Sequence, residues 1–385
     1  MKHPEGHVFE FTPETLSAWC EERGMPRFRA AQILDWVYRK GVVDPRLMSN
    51  LAAREREILA QEMVFLSGVS VAHQMATDGT QKLLIEWPDD VRGAIPAGDA
   101  EIKPELRLPI VGGAMPYSAT ARQTECVMIP ALPTESDPSP KRNTACISSQ
   151  VGCPVGCRFC ASGLGGLDGN LSAGRIVEQV WRLNRLEGVE RISNVVFMGM
   201  GEPLANFRPV VAAVRTLAAE WGMGIGARRI TISTVGMHKA IEKLAAELEL
   251  PVTLALSLHA PNDELRRELI PWAEFTTIEQ LLTACQAWFE KTGREITLEY
   301  ILLGGVNDRP EHAAELAALA RSLRANVNLI RYNQVKGLGY RRPSTEDVLA
   351  FQEILRAKRV NTHIRRSRGR DIAAACGQLR HEHVA

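Results

Sequence analysis

From Thr144 onward the chain alternates short runs of apolar and β-branched residues with longer stretches of helical periodicity, and that rhythm leaves few folds open. Strand-like runs fall at residues 145–148, 194–198, 229–233, 253–258, 296–302 and 327–330. Helical patterns lie between them; in one, Ser172 can cap an apolar face made by Ile176, Val177, Val180, Trp181 and Leu183. Six such units predict an α/β fold built on a parallel sheet, closed or partly closed as a (β/α)6 barrel. Ligands of such sheets collect at the carboxyl ends of the strands. The residues that follow each run are therefore where chemistry is expected.

After the first run comes Cys153-Pro-Val-Gly-Cys157-Arg-Phe-Cys160. Three thiolates on one short loop can hold three irons of a [4Fe–4S] cube and leave the fourth iron without a protein ligand, a vacancy that a substrate or cofactor can fill. Zinc is the alternative, but it needs a fourth ligand, and three-ligand catalytic zinc usually includes histidine, which this loop lacks. Structural disulfides fit less well, because the start of the chain shows no secretory pattern and cytosolic thiols stay reduced. The other strand ends carry polar groups too. Met198-Gly-Met-Gly-Glu-Pro203 follows the second run, where Gly201 lets backbone approach a ligand and Glu202 can pair with an ammonium. Ser233, Ser257, His259 and Asn333 follow or end later runs. A lone histidine is more often structural, but several strands with polar groups at one end need buried partners.

The rest of the chain bounds the setting. Its 385 residues suffice for a large domain and a smaller one, and 45% hydrophobic with 24% charged residues is ordinary for a soluble protein. No apolar run approaches the roughly 18 residues of a membrane span, so no membrane association and a cytoplasmic location are expected. Net charge is only +1, yet residues 321–370 hold 13 Arg or Lys against 3 Asp or Glu. Arg365, Arg366, Arg368 and Arg370 suit a polyanion, although solvated helix faces explain such runs as well. Residues 12–59 read as three helices: Thr12 caps the first ahead of Pro13 and Gly24 ends it; Phe28, Ile33, Leu34, Trp36 and Val37 face inward in the second before Gly41; Ser49 caps the third, which runs through Leu51 and Ile58. Residues 82–87 and 126–129 read as short strands. Residues 91–122, rich in Pro, Gly and Ala, read as a long loop or insertion. The expected division is 1–90, a helical accessory unit; 91–143, insertion and linker strands; and 144–385, the barrel.

Five segments, taken in order, carry a resemblance: Phe28-Arg-Ala-Ala-Gln-Ile-Leu-Asp-Trp36, Cys146-Ile-Ser-Ser-Gln-Val-Gly-Cys153, Met198 to Pro203, Ser257-Leu-His-Ala-Pro-Asn-Asp263 and Arg368-Gly-Arg-Asp-Ile-Ala-Ala-Ala-Cys-Gly377. Over nearly its whole length the chain resembles the RlmN/Cfr family of radical S-adenosylmethionine (SAM) RNA methyltransferases. The resemblance implies that Cys153, Cys157 and Cys160 bind one [4Fe–4S] cluster, that SAM chelates its fourth iron, and that Gly201, Glu202, Ser233, Ser257, His259 and Asn333 line the SAM pocket. It also implies two SAM molecules per turnover. One methylates Cys376, and the second yields a 5′-deoxyadenosyl radical that takes hydrogen from the new methyl group. The carbon radical adds to adenine, and Cys146 resolves the cross-link through a disulfide with Cys376. Glu125 matches the family's proton acceptor, although its residues alone read as a solvated carboxylate. The physical need is plain: an adenine ring carbon is too poor a nucleophile for polar attack on a SAM methyl.

The implied reaction is methylation of carbon 2 of an adenosine in 23S rRNA, with tRNA as a further substrate. The 1–90 unit would bind RNA, a flavodoxin-like donor would supply electrons, and the enzyme would act as a monomer. Carbon 8 methylation is the alternative within the family, and a non-catalytic, metal-containing RNA-binding protein is the alternative outside it. Cys20, Cys126 and Cys285 match no motif and are expected to pack as small apolar residues. Leu167, where the family favours an aromatic, Gly169, where it favours arginine, and Arg331 and Gln334, in place of prolines, depart from the pattern.

Overall fold

A computed structural model describes residues 1–91, 121–133 and 140–379. The expected insertion at 91–122 lies outside the described residues except at its edges. The strands are β1 (Val69–Met75), β2 (Gln81–Glu86), β3 (Gln123–Pro130), β4 (Asn143–Cys146), β5 (Gln150–Gly152), β6 (Leu167–Asn170), β7 (Ile192–Phe197), β8 (Ile230–Thr234), β9 (Thr253–Ser257), β10 (Ile296–Leu302), β11 (Ala325–Arg331) and β12 (Thr362–Arg365). All but β5 and β6 form one sheet in the order β1-β2-β3-β4-β7-β8-β9-β10-β11-β12. Pairing is antiparallel from β1 to β4 and parallel from β4 to β12. β5 and β6 make a separate antiparallel pair.

The six expected barrel strands occur as read, to within two residues at either end. A seventh parallel strand, β12, was not expected, because Thr-His-Ile-Arg lies inside the stretch read as a basic cluster. Arg365 is accordingly half-buried on a strand, and Arg368 is bonded to Asp78, while Arg366 and Arg370 are exposed. The boundary drawn at residue 90 also cuts across a continuous sheet, since β1 and β2 extend it through β3. At the N-terminus Thr12 caps Pro13–Glu22, with Pro13 in the first turn. The third helix differs from expectation: it is Ala53–Glu62, with Ala52 at the N-cap and Glu55 Oε2 accepting from the Ala52 amide at 2.7 Å, so Ser49 does not cap it.

The helix Ala173–Leu183 joins the N-terminal helices to the barrel. Ser172 accepts from the Arg175 amide, and every residue from Gly174 to Leu183 is buried, polar ones included. Gln179 exchanges two 2.9 Å bonds with the backbone of Ser148 at the end of the first barrel strand. Glu178 accepts from the Ser67 amide and hydroxyl, the Gly68 amide and Arg182 Nε, and it meets His7 at 3.2 Å. Trp181 Nε1 donates to the Val37 carbonyl. Burial alone would raise the Glu178 carboxyl, but Arg182 and His7 outweigh it and hold it down to about 2. Its contribution is therefore complete above the ordinary 4.5 and is lost as pH falls from there toward 2. In Glu178→Gln the acid limb of stability should flatten by up to ~1.4 kcal/mol per pH unit, read from denaturant midpoints between about pH 7 and about pH 3. Equal slopes for variant and wild type would refute this.

Candidate active site

The loops at the top of the first two barrel strands pack backbone to backbone. A Cβ on Gly199 would stand 2.7 Å from the Ile147 carbonyl, and one on Gly201, whose φ is +99°, would stand 2.7 Å from Gln150 Cβ. No side chain larger than hydrogen fits at either position. Ser148 Oγ accepts from the Met200 amide, and the Ser149 amide donates to the Met200 carbonyl, which completes the lock.

The cysteine loop is fixed from three directions. The Cys153 amide donates to the Gly166 carbonyl, the Arg158 amide to that of Leu269 and the Ala161 amide to that of Gly377, at 2.8, 3.0 and 2.8 Å. Cys153, Cys157 and Cys160 line one cavity, about 820 Å³ including its open mouth. Burial pushes all three thiols up, Cys153 to about 12, and the thiols raise one another further. Thiolates here are costly until a cation shares their charge. Among the described residues no three Cys, His, Asp or Glu side chains converge as a single-ion site requires. Three thiols on one loop, all facing one cavity, are the donor set that a [4Fe–4S] cluster with one open iron takes.

Gly201, Glu202, Ser233, Ser257 and His259 line the same cavity. Ser233 and Ser257 bring their hydroxyls within 3.2 Å of each other from adjacent strands. His259 Nδ1 accepts from the Ile301 amide at 3.1 Å, which assigns the proton to Nε2, and burial with Arg266 nearby lowers its pKa to about 3. It is thus a neutral donor. Its backbone has a φ of +60°, held by Asn307 Nδ2 on the His259 carbonyl. Glu202 Oε1 accepts from the Leu204 amide and Oε2 from the Val235 amide, so each oxygen ties one barrel loop while a carboxylate keeps further acceptor positions for an ammonium. Asn333 lines a neighbouring cavity instead, where Nδ2 donates to the Cys376 carbonyl.

Beyond β12 the chain crosses back over the open side of the barrel as a strap. Asp78, in the β1–β2 turn, accepts from Arg368 Nε and the Gly369 amide at 2.9 and 3.0 Å. At the far end the Gly377 and Leu379 carbonyls accept from the Ala161 amide and Ser162 Oγ. Cys376 on this strap lines both cavities: the one with the three thiols, and a second of about 530 Å³ that holds Cys146, Asn333, Arg365 and Arg366. Cys146 ends β4, and its thiol is pushed up to about 12, mainly by burial and then by Cys376, with Arg365 opposing. All eight cysteines are free thiols, so the structure holds no Cys146–Cys376 disulfide. Cys20, Cys126 and Cys285 are buried, as small apolar residues would be.

Glu125 is not solvated. It is fully buried, with Oε1 2.6 Å from Lys82 Nζ, and that ammonium also donates to the Ala373 carbonyl of the strap. Lys82 and Glu299 were not anticipated as site residues, and Arg365, read as part of a basic cluster for a polyanion, instead lines both cavities. The available signal was a charge inside an otherwise apolar strand, where burial needs a partner. Gly169, the departure from the family's arginine, is explained locally: a Cβ there would stand 2.8 Å from Met1 Cβ.

The radical SAM superfamily model matches residues 147–317, and that of the ribosomal RNA large subunit methyltransferase N-terminal domain matches residues 7–65. A protein of Rhodopirellula baltica named "Probable dual-specificity RNA methyltransferase RlmN" is 41% identical over 98% of this chain and 91% of its own. A Symbiobacterium thermophilum protein of the same name is 43% identical over 95% and 89%. The crystal structure of a radical SAM methyltransferase from Sphaerobacter thermophilus superposes with a TM-score of 0.85 at 38% identity, covering 98% of this chain and 99% of that one. The chain belongs to the RlmN family of radical SAM RNA methyltransferases. No helix of the described residues is long and apolar enough to cross a membrane.

Proposed function

We propose that this enzyme methylates carbon 2 of an adenosine in 23S rRNA, and of tRNA as a second substrate, through a methyl group carried on Cys376. The supporting observation is the position of Cys376 in the shared wall of two cavities, with three thiols in one and Cys146 in the other. The soft donor set of Cys153, Cys157 and Cys160 on one cavity wall fits one [4Fe–4S] cluster, which when bound supplies the electron for homolytic cleavage of SAM. Gly201, Ser233, Ser257 and His259 shape the SAM pocket, His259 as a neutral donor and Gly201 by close backbone approach. Glu202 holds two loops of that pocket in register.

Cys376 acts first as a nucleophile. Its thiolate attacks the methyl carbon of one SAM, forming the sulfur–carbon bond as the carbon–sulfonium bond breaks and S-adenosylhomocysteine leaves. Once that carbon is joined to the base and Glu125 has taken the ring proton, Cys146 sulfur attacks Cys376 sulfur: the sulfur–sulfur bond forms as the bond from Cys376 sulfur to the bridging carbon breaks, the Cys146 proton passes to that carbon to complete the methyl group, and the one electron left over from the radical addition would return to the cluster that supplied it. Glu125 accepts the proton lost from the base, and Lys82 fixes its position. A second SAM is consumed in each turnover, a flavodoxin-like protein is the reductant, the 1–90 helices contact RNA, and the enzyme works as a cytoplasmic monomer. The test is mass spectrometry of rRNA and tRNA from cells with and without the protein. Loss of 2-methyladenosine is expected, whereas loss of 8-methyladenosine would move the assignment to carbon 8. Anaerobic reconstitution that gives no brown chromophore and no 5′-deoxyadenosine would leave only RNA binding.

A further inference from the structure

A group of cations stands beside Cys376 without anions to balance it. Asn333, whose Nδ2 donates to the Cys376 carbonyl, accepts at Oδ1 from Arg342 Nη1 at 3.0 Å, and the same Nη1 donates to the Tyr332 carbonyl at 2.8 Å. Arg342 is thereby fixed. Burial lowers its pKa, and the charges of Arg370 and Arg331 lower it further, to about 10. Arg331 is tied through Nη2 to the Pro343 carbonyl at 3.0 Å, and it takes the place of a proline usual in the family. Arg366 lines the second cavity together with Cys376. Residues 331–345 and 361–370 contain no Asp or Glu. Of Arg331, Arg342, Arg366, Arg368 and Arg370, only Arg368 has a carboxylate ion partner among the described residues, Asp78. Holding like charges together is costly, so an anion from outside the chain is the natural complement.

What Cys376 must reach decides which anion. A ring carbon of adenine is accessible only once its nucleotide is out of the stack, and an extruded nucleotide brings a phosphate on either side. The base goes to Cys376 and the phosphates stay outside. We propose that Arg331, Arg342 and Arg370 form a clamp for the RNA phosphates next to the adenosine presented to Cys376, a contact on the barrel separate from any made by the N-terminal helices. This rests on the reading of Cys376 as the methyl carrier.

The test is the salt dependence of binding between the anaerobically reconstituted full-length protein and a labelled RNA hairpin with an adenosine in its loop. Arg331→Gln/Arg370→Gln should flatten the slope of log affinity against log salt by ~1.4, since each phosphate contact to single-stranded RNA contributes ~0.7. The control is Arg321→Gln/Arg324→Gln, which removes the same charge at the opposite end of β11 and should shift the slope by less than ~0.5. No flattening in the first variant, or equal flattening in both, overturns the clamp. Should the first variant fail to fold, Arg370→Gln alone decides, because residue 370 is exposed: a flattening of ~0.7 supports the clamp and an unchanged slope overturns it. Transfer of label from methyl-tritiated SAM to Cys376 needs no RNA and should be equal in every variant. Wild type that takes no label defeats the methyl-carrier reading, while the slopes still decide whether phosphates are held here.

Discussion

Cys376→Ala should fold, take up its cluster and transfer no methyl group to RNA, a loss of at least ~10⁴-fold in methyl transfer, because removal of a covalent nucleophile leaves no alternative path. The strap that carries residue 376 is held by the Asp78 and Ala161 bonds, neither of which uses the thiol. Melting temperature and the iron–sulfur chromophore should therefore match wild type, while label from methyl-tritiated SAM appears neither on protein nor on RNA. Cys146→Ala should differ in kind. Label should reach the protein and remain there, bonded to RNA, because the thiol that opens the cross-link is gone. Full turnover by Cys376→Ala would end the methyl-cysteine assignment.

The second large effect is on stability. Lys82 and Glu125 are both buried, and Lys82→Met leaves the carboxylate without its 2.6 Å cation. Breaking a buried pair from one side costs about 3–5 kcal/mol, whereas replacing both partners by apolar side chains is often near neutral. Urea midpoints for Lys82→Met, Glu125→Leu and the double variant are the measurement, with the double variant expected to recover most of the loss. A single variant that costs no more than the double would show that the pair is not coupled. Since Lys82 also holds the Ala373 carbonyl, the single variant should loosen the strap as well, and faster proteolysis near residue 376 would report it.

These expectations show where the sequence speaks and where it falls silent. Periodicity exposed the six barrel strands because parallel strands buried on both faces are runs of apolar residues. It missed β12, since a strand whose inward residue is Arg365 looks like solvated charge until the cavity it faces is known. The cysteine triplet was legible because its three members lie within eight residues of one another. Cys376 was not legible by spacing: more than two hundred residues separate it from Cys160, and only the family's motif around it marked it. Glu202 lines the cavity that holds the three thiols, but its bonds to Leu204 and Val235 depend on where two other loops end, which no local pattern encodes. Glu125 read as solvated for the same reason, because its cation stands on another strand.

The strap has one further consequence, for the order in which the molecule is made. It follows all twelve described strands in the chain, and both of its anchors, Asp78 and the Ala161–Ser162 turn, are synthesised long before it. Domains fold as units while synthesis proceeds, so the early barrel strands and the cysteine loop can form before the strap that carries residue 376 is free of the ribosome. A chain cut short after β12 would keep every described strand and lack the cysteine proposed to carry the methyl group.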